Sequence, residues 1–219
     1  MALGFYFDMS RCVGCRVCQI ACKDRFDLQN AGPVPRRVAT YEVGAYPDAS
    51  LIHMSIGCNH CDNPACVANC PTGAMFKDSE SGIVLHNDEV CIGCRACMMS
   101  CPYGAPQFEE EKSLIVKCDS CKALRGAGMN PVCVDACMMR ALDFGELDDL
   151  RAKYGSDLVR EVPSIASAEG TSPNLLIKTS TSALRKDFTE IILWALGRWT
   201  MMWRGGEWRV MSCYPLRRS

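Results

Sequence analysis

The sequence lacks an excess of charge of either sign, and it lacks a long apolar run. Its 24 Lys and Arg residues nearly balance 25 Asp and Glu residues, which gives a net charge of −1 over 219 residues. Because nucleic-acid-binding surfaces carry a basic excess, no nucleic-acid partner is predicted. No segment approaches the roughly 18 apolar residues of a membrane-spanning helix; residues 191–203 come nearest but include Arg198. We therefore expect a chain that is soluble or peripheral by itself.

Recognisable targeting and catalytic motifs are also missing. The first apolar run stops at Asp8, too early for the core of a signal peptide, so export would require a partner. Arg36 and Arg37 form a twin arginine, but no apolar run follows them, and we interpret them as part of a loop. There is no nucleophile–base pair and no phosphate-binding glycine loop. The sequence therefore predicts no catalytic residue and no small-molecule substrate.

Cysteine, in contrast, is abundant, with 17 residues in the chain. Disulfide scaffolds are as rich in cysteine, but they are usually short secreted chains. Sixteen cysteines fall into four groups, and Cys213 is left over as a predicted free thiol. In chain order the groups are Cys12, Cys15, Cys18 and Cys22 (group one); Cys58, Cys61, Cys66 and Cys70 (group two); Cys91, Cys94, Cys97 and Cys101 (group three); and Cys118, Cys121, Cys133 and Cys137 (group four).

The spacing within the groups is typical of iron–sulfur sites. Groups one and three read C-x2-C-x2-C-x3-C, group two has an x4 gap, and group four has an x11 gap. Three closely spaced cysteines can ligate one [4Fe–4S] cube, whereas in two-cluster ferredoxins the fourth cysteine ligates the other cluster. Zinc is the alternative, but its sites usually combine two separated cysteine pairs. The gap of group four would by itself suit zinc. The four groups together, however, supply the sixteen ligands of four cubes, which favours iron–sulfur clusters in all of them.

The cysteine groups are internal repeats of a small unit. Cys-Val-Gly-Cys in group one recurs as Cys-Ile-Gly-Cys in group three, and Cys-Pro-Thr-Gly-Ala at Cys70 recurs as Cys-Pro-Tyr-Gly-Ala at Cys101. We predict short helical turns following the third cysteine of each group, and short strands beside the groups, which together indicate ferredoxin-like α+β modules. The predicted strands cover residues 4–7, 51–56, 82–85, 113–117 and 141–144.

Several basic residues lie beside the cysteines. Sixteen thiolates would leave the ligated core strongly negative, so we predict that these residues offset the charge and tune reduction potentials. The alternative is that they are solvated surface charges. The residues are Arg11, Arg16, Lys23, Arg95, Lys117, Lys122 and Arg140. His60 is not predicted to be a ligand, because its group already has four cysteines.

Several motifs match a known family. They are Cys-Val-Gly-Cys-Arg-Val-Cys from Cys12, Cys-Asn-His-Cys from Cys58, Cys-Pro-Thr-Gly-Ala from Cys70, Cys-Ile-Gly-Cys-Arg-Ala-Cys from Cys91 and Lys-Cys-Asp-Ser-Cys from Lys117. In this order, over about residues 4–178, they resemble the four-cluster iron–sulfur electron-transfer subunit of molybdopterin oxidoreductases. Within that family the protein is most similar to the iron–sulfur (beta) subunit of dimethyl sulfoxide reductases.

The resemblance implies an α+β fold of two nested ferredoxin-like [4Fe–4S] modules. Groups one and four would build the outer module, residues 1–51 and 106–147, which includes a long polar insertion at residues 23–50. Groups two and three would build the inner module, residues 52–105. Residues 148–219 would form a C-terminal extension that contacts partner subunits.

The resemblance also implies how the cysteines are shared among four [4Fe–4S] clusters, each taking three from one group and one from another. The implied ligand sets are Cys12, Cys15, Cys18 and Cys137 (cluster one); Cys118, Cys121, Cys133 and Cys22 (cluster two); Cys58, Cys61, Cys66 and Cys101 (cluster three); and Cys91, Cys94, Cys97 and Cys70 (cluster four).

The implied function is electron transfer in a respiratory complex associated with the membrane. Cluster one would face a molybdopterin catalytic subunit, and cluster four would face a quinol-oxidising membrane anchor. The alternatives are a catalytic subunit, which the full set of cysteine ligands argues against, and a stand-alone polyferredoxin shuttle, which the sequence beyond residue 148 argues against.

Two features depart from the family pattern. Cys137 is followed by Met138 where the family often has proline. The end of the sequence, residues 185–219, does not resemble the family's tail; the alternatives are that it packs on a partner or the membrane interface, or that it is an appendage packed on its own subunit. It holds all four tryptophans, Trp194, Trp199, Trp203 and Trp208.

Iron analysis tests the cluster count. Protein purified without oxygen should contain about sixteen iron and sixteen acid-labile sulfide atoms per polypeptide, because each cube holds four of each. Colorimetric iron and sulfide assays against protein concentration measure this. Stoichiometric zinc with little sulfide would contradict the prediction.

Overall fold

The computed structural model describes residues 2–191 and the backbone of residues 200–204 and 207–211. Trp194, Trp199, Cys213 and the side chains of Trp203 and Trp208 lie outside the described residues. The helices are α1 (Val17–Arg25), α2 (Ala65–Ala68), α3 (Ala96–Ser100), α4 (Lys122–Gly126), α5 (Val132–Asp135) and α6 (Leu147–Tyr154). None of the helices in the described part of the protein has the length and apolar character to cross a membrane.

The strands are short and form two three-stranded sheets and three hairpins. The strands of the sheets are β1 (Leu3–Asp8), β2 (Arg37–Val43), β3 (Ser50–Ile56), β8 (Leu142–Glu146), β9 (Leu175–Lys178) and β10 (Phe188–Glu190). The hairpin strands are β4 (Met75–Lys77) with β5 (Val84–His86), β6 (Gln107–Glu109) with β7 (Leu114–Val116), and β11 (Thr200–Arg204) with β12 (Glu207–Met211). The mixture of short helices and strands agrees with the α+β class predicted from the sequence.

The first sheet places β1 between β8 and β9. β1 pairs antiparallel with β8, where Phe7 lies opposite Leu142, and parallel with β9, where Phe7 lies opposite Ile177. A strand covered on both faces is apolar along its length, and Phe5, Tyr6 and Phe7 are almost fully buried. The first strand of the protein is therefore held by two strands that follow the last cysteine group.

β9 lies in the region predicted to be a C-terminal extension. Leu175, Leu176 and Ile177 are buried in the sheet, and Leu147 and Leu150 of α6 pack with Tyr6 and Leu176 in a small core of their own. Helix α6 and strand β9 are thus packed on the first sheet, which the prediction of an extension did not anticipate. The apolar run is typical of a buried strand, but its pairing with β1 is not visible in a local pattern.

The second sheet has the strand order β10-β2-β3. β2 lies within residues 23–50, which the sequence presented as a polar insertion. The prediction of a loop is wrong for Arg37, which begins β2, whereas Arg36 lies in the bend before the strand and is only 2% exposed. Buried Val38, Tyr41 and Val43 carry the strand signal, which the neighbouring prolines obscured.

The predicted helical turns at the third cysteines are confirmed. In all four groups the helix begins one residue before the third cysteine: α1 contains Cys18, α2 contains Cys66, α3 contains Cys97 and α5 contains Cys133. α1 packs against α5, and α2 packs against α3. The groups are therefore joined in pairs, one with four and two with three.

The five predicted strands are confirmed with shifted ends, as β1, β3, β5, β7 and β8. Their hairpin partners β4 and β6 were not predicted.

Cysteines belong to the apolar cores of the protein. The main core packs Phe5, Val43 and Met54 with cysteines of groups one, two and four. A second core contains Cys66 and Cys97 together with residues of the small hairpins. The predicted cluster ligands are therefore also core residues, and we expect cluster loss to unfold this region.

The contribution of β9 can be tested by substitution in the sheet. Ile177→Ala removes a side chain with no exposure, and we expect it to lower the free energy of unfolding by about 2–5 kcal/mol. An anaerobic urea titration followed by cluster absorbance measures the change in midpoint. Lys178→Ala, at the exposed neighbouring position, is the control. Equal midpoints for the two variants would show that β9 does not stabilise the first sheet.

Candidate functional site

The loops of groups one and three have the same backbone geometry. Gly14 and Arg16 have φ angles of 68° and 61°, and Gly93 and Arg95 have φ angles of 65° and 63°. Two left-handed residues turn the backbone sharply before the helix begins, so that the second cysteine lies at the tip of the loop. A Cβ at Gly14 would come within 2.5 Å of the His53 ring, so glycine is required there for space as well as for conformation.

Cysteines from groups one and four line the same cavity. Its empty volume is about 330 Å³, and its apolar lining includes Phe7, Val38 and Leu142. Its cysteines are Cys12, Cys15, Cys18 and Cys137. The fourth cysteine of group one, Cys22, is not among them. This quartet is the one that the resemblance implies for cluster one, and ligation by it stays a prediction.

Cysteines from groups two and three line a second cavity. Its empty volume is about 280 Å³, and Met75 and Ile115 contribute to its wall. Its cysteines are Cys70, Cys91, Cys94 and Cys97. They are the quartet implied for cluster four, again with the fourth cysteine supplied by another group.

The other eight cysteines are mostly buried, and they influence one another's ionisation. Burial first, and then Cys133 and Cys121, raise the pKa of Cys22 to about 12. Burial and then Cys58 and Cys101 raise the pKa of Cys66 to about 12. Cys22, Cys121 and Cys133 all belong to the set implied for cluster two. Cys58, Cys66 and Cys101 all belong to the set implied for cluster three.

The chemistry of these donors fits an iron–sulfur cluster. Thiols with pKa values this high are protonated at neutral pH, so thiolate ligation needs a strong cationic partner and releases protons when the metal binds. Soft thiolate donors suit iron–sulfur clusters and zinc. Among the described residues, no group of three or more His, Cys, Asp or Glu side chains is arranged to hold a single metal ion. None of the sixteen cysteines is in a disulfide.

The four cysteine sets implied by the resemblance lie near one another in the order one to four. Burial raises the pKa of Cys18, and Cys133 of the next quartet raises it further. Cys118 has a pKa well above its ordinary value because of burial, and Cys58 of the third quartet contributes. Cys66 and Cys97 share one core, which joins the third quartet to the fourth.

The turns after Cys70 and Cys137 have a similar form, although the amide that donates to the sulfur is the fifth residue after Cys70 and the fourth after Cys137. The amide of Met75 donates to Cys70 Sγ at 3.4 Å, and that of Ala141 donates to Cys137 Sγ at 3.3 Å. Arg140 has a φ of 51°, and Gly73 has a φ of 70° at the equivalent position. Group four therefore keeps the geometry of this turn although Met138 replaces the expected proline.

The predicted basic residues differ in what they contact. Lys117 is buried, and its Nζ donates to the carbonyl oxygens of Val84 and Cys118. Arg16 lines the first cavity and Arg95 the second. The remaining four act elsewhere: Arg11 pairs with Asp8, Lys23 donates to the carbonyls of Asn30 and Pro33, and Lys122 and Arg140 are exposed.

His60 is fully buried, and its Nδ1 accepts a hydrogen bond from the Val84 amide at 3.2 Å. Burial holds its pKa well below the usual range, so the ring is neutral.

Sequence reasoning missed two polar residues at these sites. Ser55 Oγ lies 3.4 Å from Cys18 Sγ, and Arg36 donates to the Ser55 carbonyl and hydroxyl oxygens at 3.4 and 3.3 Å. Ser55 offered no sequence signal. The signal for Arg36 was the twin arginine itself, which was considered only as a targeting motif.

Comparisons with known proteins agree with the cysteine pattern. A 4Fe-4S dicluster domain model matches residues 49–147, and a 4Fe-4S binding domain model matches residues 9–27. The B subunit of anaerobic dimethyl sulfoxide reductase from Haemophilus influenzae is 44% identical over 189 residues, covering 82% of this protein and 90% of that one. The B subunit of the Escherichia coli reductase is 44% identical over 188 residues with the same coverage. Protein NrfC of Escherichia coli is 37% identical over 181 residues, covering 78% of each.

The sharing of cysteines between groups can be tested by serine substitution. If Cys22 belongs with Cys121, Cys22→Ser and Cys121→Ser should perturb the same cluster signal in electron paramagnetic resonance spectra of the reduced protein. Cys15→Ser should perturb a different signal, because Cys15 lines the first cavity. Matching defects in Cys22→Ser and Cys15→Ser would instead indicate that each group ligates its own cube.

Proposed function

The protein belongs to the family of iron–sulfur B subunits of anaerobic dimethyl sulfoxide reductases, and on this premise we propose that it transfers electrons within a dimethyl sulfoxide reductase-like respiratory complex. It is a non-catalytic electron-transfer subunit of an oxidoreductase with [4Fe–4S] clusters. Our proposal adds that it holds four clusters and links a quinol-oxidising membrane anchor to a molybdopterin catalytic subunit.

We propose the four cysteine sets implied by the resemblance as the cluster ligands. The two cavities lined by mixed quartets support the sets for clusters one and four, and the mutual influence of the buried cysteines supports those for clusters two and three. On this basis residues 52–105 form an inner module within an outer one built from residues 1–51 and 106–147. When bound, each [4Fe–4S] cluster takes up and releases one electron.

The observation that carries the proposal is the difference in exposure between the sites. Cys15 and Cys94 are exposed, whereas all cysteines of the middle two sets are buried except Cys101, which is half-buried. The first and fourth quartets therefore reach the surface at separate places, and the middle two are shielded from water. Such an arrangement suits a subunit that exchanges electrons with two different partners.

Both surface sites are bordered by apolar side chains suited to protein contacts. Val13 beside Cys15 is 55% exposed, and Met138 beside Cys137 is 67% exposed. Ile92, in the loop of Cys94, is 67% exposed. Exposed apolar side chains at a functional site are typical of interaction surfaces. By analogy with the family, the first surface contacts the catalytic subunit and the second the membrane anchor.

The location follows from the proposed partners. We propose that the protein is a peripheral member of a membrane-associated complex, bound through the anchor subunit. That residues 148–219 contact partner subunits stays a prediction. Within this range, residues 175–178 pair with β1 in the first sheet.

Quinol-driven reduction in the assembled complex tests the assigned ends. Cys94→Ser should stop quinol from reducing the remaining clusters, because it alters the site proposed to face the anchor. Cys15→Ser should leave clusters two to four reducible by quinol and should block turnover of the catalytic subunit. Co-elution with both partners establishes assembly of each variant.

The opposite pattern, with quinol reduction lost in Cys15→Ser and kept in Cys94→Ser, would reverse the assigned direction. Purification of the native protein without large partners, together with electron exchange with small soluble carriers, would favour the polyferredoxin shuttle instead.

A further inference from the structure

Arg36 is a buried cation without a carboxylate partner. It is 2% exposed, and among the described residues no Asp or Glu lies within ion-pair distance of it. Its Nη1 donates to Ser55, its guanidinium lies 4.5 Å from the centre of the Phe5 ring, and its Nε has no hydrogen-bond partner. A buried charge is costly unless something compensates it, and these contacts do not neutralise it.

The surroundings of Arg36 contain cysteines from two cluster sites. Although burial alone would lower the pKa of Arg36, four neighbouring cysteines raise it above its ordinary value. They are Cys133, Cys118, Cys18 and Cys22. Cys18 belongs to the set proposed for cluster one, and the other three belong to the set proposed for cluster two. When these cysteines ligate clusters as thiolates, two ligand sets together supply the anionic partner of Arg36.

Ser55 extends the influence of Arg36 toward the first site. The Ser55 hydroxyl oxygen accepts from Arg36 Nη1 at 3.3 Å and lies 3.4 Å from Cys18 Sγ. With its oxygen occupied by the guanidinium, the hydroxyl is positioned to donate its proton to the sulfur. A hydrogen bond to a ligand sulfur stabilises added negative charge on a cluster and raises its potential.

From this geometry we propose that Arg36 is a shared counter-charge that raises the reduction potentials of clusters one and two. The inference rests on the proposed function, which places clusters at these sites. Reduction adds one negative charge to a site that already carries four thiolates, and a fixed cation stabilises the reduced form more than the oxidised form.

Potentiometric titration of the anaerobically purified protein tests the proposal without its partners. Arg36→Met should lower the midpoint potentials of clusters one and two, each by a tenfold change in the one-electron equilibrium, about 59 mV. Arg36→Lys, which keeps the charge, should recover most of both shifts. Cys15→Ser and Cys121→Ser identify which resonance signal belongs to which site.

Two further variants test the role of Ser55 and the specificity of the effect for Arg36. Ser55→Ala should lower the potential of cluster one alone, because it removes the hydroxyl beside Cys18. Arg37→Gln is the matched control: Arg37 is the neighbouring arginine, and its guanidinium donates to the carbonyls of Tyr103 and Gly104. It should leave the potentials of clusters one and two unchanged.

The outcomes are distinct. Unchanged potentials in an Arg36→Met protein with full iron content would overturn the proposal, as would equal shifts in Arg36→Met and Arg36→Lys. If Arg36→Met fails to retain clusters, retention of clusters one and two by Arg36→Lys supports the counter-charge role, and their loss in both variants overturns it. Too few clusters in the wild-type protein, or failure of quinol to reduce them in the complex, would refute the proposed function separately.

Discussion

Cys137 lies in one cavity with Cys12, Cys15 and Cys18, although groups two and three separate them in sequence. The rest of the fold depends on this meeting of distant cysteines. It requires α5 to pack against α1, and it brings β8 beside β1 immediately after the last cysteine group. The strands and helices are too short to be stable alone, so the sites and the elements around them are expected to form together.

Ligation of clusters by so many buried thiolates would concentrate negative charge in the core, and only a few polar and charged groups lie close enough to stabilise it. Amide donors at Cys70 and Cys137 and the carbonyl-bound Lys117 lie close to the ligand sets. Arg36 differs from these groups because two sets share it. A low local dielectric strengthens the interaction of such a charge with any nearby site, so that one side chain can influence two neighbouring clusters.

Much of the site was predictable because its chemistry is local. The C-x2-C-x2-C spacing, with Gly14 inside the loop, predicts a tight turn, because that turn depends only on residues that are adjacent in the sequence. Strand β2 and residue Arg36 were missed for the opposite reason. Prolines and polar residues surround β2, and a buried arginine cannot be told from an exposed one unless its neighbours in space are known. Strand β9 was missed because its partner is the first strand of the protein.

The sequence by itself determined the number of cysteine groups, their loops, the helices at the third cysteines and the ferredoxin-like class, since each depends on residues close together along the backbone. The family resemblance supplied the expected exchange of the fourth cysteines. Only the tertiary structure decided which quartets line a common cavity, which of them reach the surface, and that Arg36 is buried near cysteines of two different sets. These properties depend on long-range packing, in which β1 pairs with β8 and β9 although more than a hundred residues separate it from them in the sequence, and no local pattern records that pairing.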